Sequence, residues 1–116
     1  MPKDALASKE TETCISRLAK FFPDATPVRI PVRVTGVEET GEQESEQTVI
    51  EYGTPREVLF MSRLPFEFAG RLRLENSDGS LRAEAAVVAV QVHEGHTAVA
   101  ARFSEVVSNW IVKPGA

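Results

Sequence analysis

From Pro27 onward the apolar residues recur at every second position. Val28, Ile30, Val32 and Val34 fall in one phase, and Arg29, Pro31, Arg33 and Thr35 in the other. Successive side chains of an extended chain point to opposite faces, so this stretch reads as a strand buried on one side and wet on the other. Pro31 has no N–H to give a neighbour, so the strand is expected to lack a partner on one side there. The next segment, VEETGEQESEQ (37–47), holds five glutamates between Glu38 and Glu46 and should form a solvated hairpin tip. QTVIEY (47–52) is a second strand, GTPRE (53–57) a turn and VLFMS (58–62) a third strand that is apolar in both phases. LPFEFAG (64–70) connects to RLRLEN (71–76), in which Leu72 and Leu74 share the inward phase. SDGS (77–80) carries an Asp-Gly turn signal. Val87, Val88, Val90 and Val92 make LRAEAAVVAVQV (81–92) a strand rather than a helix. HEGH (93–96) is a second tip, and TAVAARF (97–103) closes the series. SEVVSNWIVKPGA fits either a short helix or, at WIV, a strand.

Before Pro27 the period differs. Ile15, Leu18, Ala19 and Phe22 stand at helical spacing, which predicts an amphipathic helix over about residues 6–21. Phe22-Pro23 ends it, because the residue before a proline is pushed out of the α region. The chain therefore divides into a helical extension, 1–26, and a β domain, 27–116. Six strands joined mostly by short turns, with no helix between them, imply an antiparallel sheet. Closing it removes its edges. The predicted fold is all-β: a six-stranded antiparallel β-barrel with an N-terminal amphipathic helix.

The 116 residues suffice for one core. Net charge is -4, which argues against a nucleic acid polymer as partner, since phosphate backbones are met by clustered Lys and Arg. The single cysteine, Cys14, allows no intramolecular disulfide. The segment MPKDALASKE lacks a signal-peptide core, and no apolar run is long enough to cross a membrane. A soluble, cytoplasmic protein with no membrane insertion is expected.

Little catalytic chemistry stands out. His93 and His96 are three apart across a Glu-Gly turn, whereas a helical zinc motif needs them four apart, so they read as hairpin residues. Cys14 has no base near it in sequence and reads as a small helix residue rather than a nucleophile. Leu18, Phe21 and Phe22 offer a small apolar surface that either plugs the barrel or binds a partner. Trp110, with Ile111 and Val112, either closes one end of the barrel or forms an interaction patch.

The order PVRVTGVEETG, EQTVIEYGTPREVLFM, GRLRLEN and LRAEAAVVAVQVHEGHTAVAARF resembles the PilZ domain family over roughly residues 27–103. Gly70, Leu72, Leu74, Ala86, Val88 and Phe103 fall at the family's characteristic places. The resemblance implies a six-stranded antiparallel barrel and, for many members, binding of the bacterial second messenger cyclic di-GMP. In the family R-x-x-x-R and [D/N]-x-S-x-x-G carry that binding. Forked arginine donors meet phosphate and guanine, and the second motif lets backbone approach the ligand closely. Arg29 to Arg33 spells R-x-x-x-R, but inside the first strand rather than ahead of it. The second motif is replaced by Glu51, Gly53 and Arg56. These departures predict a non-catalytic bacterial regulatory or adaptor domain that works through protein contacts, with cyclic di-GMP binding absent or weak. It has no cofactor, and its partner is another protein or a second copy of the chain. The alternative is a receptor that grips cyclic di-GMP through Arg29 and Arg33 in a shifted register. A metal site or small enzyme built on His93 and His96 is the remaining reading.

Overall fold

A computed structural model describes residues 14–37, 43–93, 95–107 and 110–112. Six strands, β1 (Thr26–Val37), β2 (Gln43–Gly53), β3 (Glu57–Ser62), β4 (Arg71–Glu75), β5 (Arg82–His93) and β6 (His96–Phe103), are all antiparallel. They close into a barrel in the order β1-β2-β3-β6-β5-β4. Among the described residues a short helix, α1 (Cys14–Ala19), precedes them.

The inward phases meet as the alternation predicts. Val32, Val34, Ile50, Val58, Phe60, Leu72, Leu74, Val87 and Val99 fill the interior. A second apolar layer lies outside the wall, where Cys14, Ile15 and Leu18 of α1 cover Leu59, Ala98 and Ala100 of β3 and β6. This explains the uninterrupted run VLFMS: β3 is covered on one face by the core and on the other by the helix, so both phases must be apolar. The three alanines of β6, Ala98, Ala100 and Ala101, are all fully buried. Small side chains at Ala98 and Ala100 leave room for α1 to approach the sheet.

The helix differs from its prediction. Of the predicted span, residues 6–13 lie outside the described residues, and α1 ends at Ala19 rather than at about residue 21. Its last turn tightens through i→i+3 bonds: Lys20 N–H to Arg17, Phe21 N–H to Leu18 and Phe22 N–H to Ala19. The acidic hairpin is also shorter at its tip than expected. Glu44, Ser45 and Glu46 pair with Gly36, Thr35 and Val34, so β2 begins at Gln43 and not at Gln47. Glu46 is not simply solvated. Its carboxylate accepts from Ser62 Oγ at 2.6 Å and from the Arg63 N–H at 2.9 Å, tying β2 to the end of β3. Thr35 is buried although it is in the polar phase, and its hydroxyl is 3.0 Å from Ser45 Oγ. The described part of the tail, 104–107 and 110–112, is neither helix nor strand.

Pro31 behaves as its chemistry requires. It pairs with Val49 of β2, while the pairing of β1 with β4 starts only at Arg33. At this same end of β4, directly after Glu75, the chain turns through Asn76–Ser80, with Gly79 at φ +76°, a conformation glycine adopts without strain. There Asp78 accepts from Ser80 N–H at 2.8 Å. Hydrogen bonds from the Ser80 side chain, and then from its backbone, hold the Asp78 carboxyl below the usual aspartate range.

Candidate functional site

The turn between β2 and β3 is where the family resemblance would place a ligand motif. In this chain it is built around Thr54 and Glu57. Thr54 Oγ1 accepts the N–H groups of Arg56 at 3.0 Å and Glu57 at 2.8 Å, which closes a tight loop. Its hydroxyl donates to Glu57 Oε1. Glu57 Oε2 in turn accepts from Arg102 Nε at 2.8 Å and Nη2 at 2.8 Å, across the β3–β6 pair Glu57↔Arg102. The carboxylate is thus almost buried but held by charge-assisted bonds on both oxygens.

The C-terminal tail sits on this turn. Trp110 is 2 % exposed, and its indole N–H donates to Thr54 O at 2.6 Å. Its ring meets Phe103 edge-on, with centroids 5.3 Å apart and planes at 75°. Gly53 lies beneath it: a Cβ there would stand 2.7 Å from Trp110 Cζ2 and 3.2 Å from Val112 Cγ2. Gly53 is therefore required by the close approach of an indole from its own chain.

The residues singled out in the sequence are scattered. Leu18 and Trp110 are buried within the chain, Leu18 under the helix and Trp110 at the barrel end. Leu18 covers the outer wall rather than plugging the barrel, and Trp110 packs against Phe103 over Gly53. Phe22 is half-buried against the outer layer, and Phe21 is 77 % exposed. Arg29 and Arg33 are both exposed on β1, but a β-bulge between Pro27 and Ile30 takes up Arg29. Neither makes a side-chain hydrogen bond or ion pair among the described residues. Arg33 instead stands opposite Gln47 on one side and Glu75 on the other. His93 and His96 are register partners at the end of the β5–β6 hairpin. Among the described residues no group of three or more His, Cys, Asp or Glu side chains could hold a metal ion. Cys14 is buried and its thiol donates to Gln91 O at 3.4 Å. No helix among the described residues is long and apolar enough to cross a membrane.

The sequence reading missed the Thr54–Glu57–Arg102 network. One signal was available: Glu57 opens an otherwise apolar strand, and an acid in that setting needs a partner. Which residue supplies it depends on the β3–β6 register, which the local sequence does not state.

Strand order and closure define a six-stranded antiparallel barrel. A structure of MrkH from K. pneumonia in its apo state matches this chain with a TM-score of 0.50 at 14 % sequence identity. The match covers 68 % of this chain and 41 % of that one, so most of the MrkH chain lies outside it. At this identity the likeness concerns the fold. No protein-family model matches the sequence, and no curated protein does.

Proposed function

We propose that this chain is a non-catalytic regulatory domain of PilZ-like type that acts through protein contacts and binds cyclic di-GMP weakly or not at all. The observation that carries this reading is the seat of Trp110. The turn that would have to open toward a nucleotide is filled by the chain's own indole, which lies over Gly53 and is bonded to Thr54 O. A ligand there would have to displace a buried aromatic ring and leave its N–H without a partner, at a cost of a few kcal/mol. The arginine motif supports the same reading, since the bulge interrupts it and neither side chain bonds to the turn's polar network among the described residues. Adaptor and regulatory roles need surface rather than catalytic convergence, and no acid, base and nucleophile converge among the described residues.

Isothermal calorimetry with cyclic di-GMP tests this, using the wild type beside Arg29→Ala and Arg33→Ala. The expected result is no measurable heat with folded protein. Micromolar binding that both substitutions abolish would overturn the proposal and establish the receptor reading, with Arg29 and Arg33 as a relocated grip.

A further inference from the structure

The outer face of β1, β4 and β5 carries charge of the opposite sign to the chain as a whole. The registers Arg33↔Glu75↔Arg82 and Thr35↔Arg73↔Glu84 set these residues side by side, with Arg71 two positions before Arg73 on β4. Four arginines and two glutamates thus share one face of a chain whose net charge is -4. Among the described residues one of these arginines is engaged: Arg82 Nε lies 3.5 Å from Glu75 Oε2. Arg33, Arg71 and Arg73 have no side-chain hydrogen bond or ion pair among the described residues. Two grooves flank β4. One, of about 510 Å³, runs between Arg73, Arg82, Glu84 and the tail at Ser104–Val107. The other, of about 360 Å³, runs along the open edge of β1 at Pro31–Arg33 beside Glu75 and Asn76.

We infer that this face is a docking surface for an acidic, extended segment of a partner protein. The inference rests on the adaptor reading above and supplies the chemistry of its partner. Charge complementarity selects an anionic occupant. The shape selects a polypeptide over a small anion: the face is open, and a lone anion on an exposed sheet gains little against water. A segment spanning three strands engages several guanidinium groups at once, and residues two apart on β4 repeat at the spacing of alternate side chains on an extended chain. A nucleic acid polymer is disfavoured because the rest of the surface, with its acidic hairpin, would repel it. Glu84 and Glu105 at the margin set a boundary to the acidic stretch, since a carboxylate placed against them is repelled.

The test is an amide-resolved NMR titration of the labelled chain with a capped hexaglutamate peptide, and separately with inorganic phosphate. The expected shifts cluster at 33–37, 71–75 and 82–86 with the peptide and are absent with phosphate. Binding should weaken about tenfold in R71E/R73E and not in R56E/R63E, which makes the same charge change at exposed arginines elsewhere. Amide dispersion checks that R71E/R73E folds, and Arg33→Glu repeats the test with one exposed substitution. No shifts with the peptide, equal losses in both double variants, or equal binding of phosphate would each overturn the inference. Silence with both cyclic di-GMP and the peptide would reject this surface while leaving the adaptor reading in place. Calorimetric binding of cyclic di-GMP would reject that reading whatever the peptide does.

Discussion

The two ends of the question lie in two regions built on opposite rules. At the β2–β3 turn the buried polar groups are engaged by the chain itself: Thr54 with Glu57, Glu57 with Arg102, and the Thr54 carbonyl with Trp110. On the β1–β4–β5 face three guanidinium groups, those of Arg33, Arg71 and Arg73, are left without partners among the described residues. Arginine is costly to leave idle only when it is buried. On an exposed face it is solvated and available at little cost to the fold. The difference separates a place where polar groups stabilise the structure from one where they are free to recognise something else.

Substitutions can break that contrast, and their effects should fall in a clear order. Trp110→Ala removes a buried ring and orphans the Thr54 carbonyl, and should cost about 3–4 kcal/mol in urea unfolding. Gly53→Ala forces a Cβ against the indole and should cost about 1–3 kcal/mol by the same measurement. Glu57→Gln keeps shape but weakens both charge-assisted bonds, for a loss of about 1–2 kcal/mol by the same measurement. Arg71→Ala or Arg73→Ala should change stability by no more than about 0.5 kcal/mol. A larger loss at either arginine would mean that the face is structural after all.

The smallest effect is local and sharpens the margin of the arginine face. Asp78 titrates below the usual aspartate range because the charged carboxylate accepts the Ser80 bonds. A depressed folded-state value stabilises the turn at pH above the ordinary aspartate value, and that contribution is lost as pH falls through the lowered one. An NMR titration should find this carboxyl still ionised where free aspartate is half protonated. Asp78→Asn should abolish that step and leave the rest of the acid unfolding curve in place.

The sequence announced most of the barrel, since its core is a matter of alternation. Leu72 and Leu74, and Val32 and Val34, were placed inward by period two alone, and Pro31 announced the open edge. The double coverage of β3 was visible as VLFMS without its cause, because the helix that covers it is distant in sequence. The hairpin bounds failed at Glu44–Glu46, where local polarity suggested a loop and pairing with Val34–Gly36 prevailed. The site was legible only in part. R-x-x-x-R drew attention to Arg29 and Arg33, but the relevant neighbours of Arg33 come from β4, through a pairing with no local signature. The seat of Trp110 likewise depends on a contact between residues 54 and 110, and local pattern left tail packing and tail exposure equally open.

Trp110 is the chain's single tryptophan, so the tail's seat has a built-in optical readout. An indole held among Phe103, Gly53 and Val112 should emit toward the blue, and edge contact with Phe103 should give it a distinct near-ultraviolet dichroism. Red-shifted emission with the far-ultraviolet β signal unchanged would report lifting of the tail alone, and both signals lost together would report melting of the barrel. A partner or ligand that engages the β2–β3 turn can therefore be followed without any label.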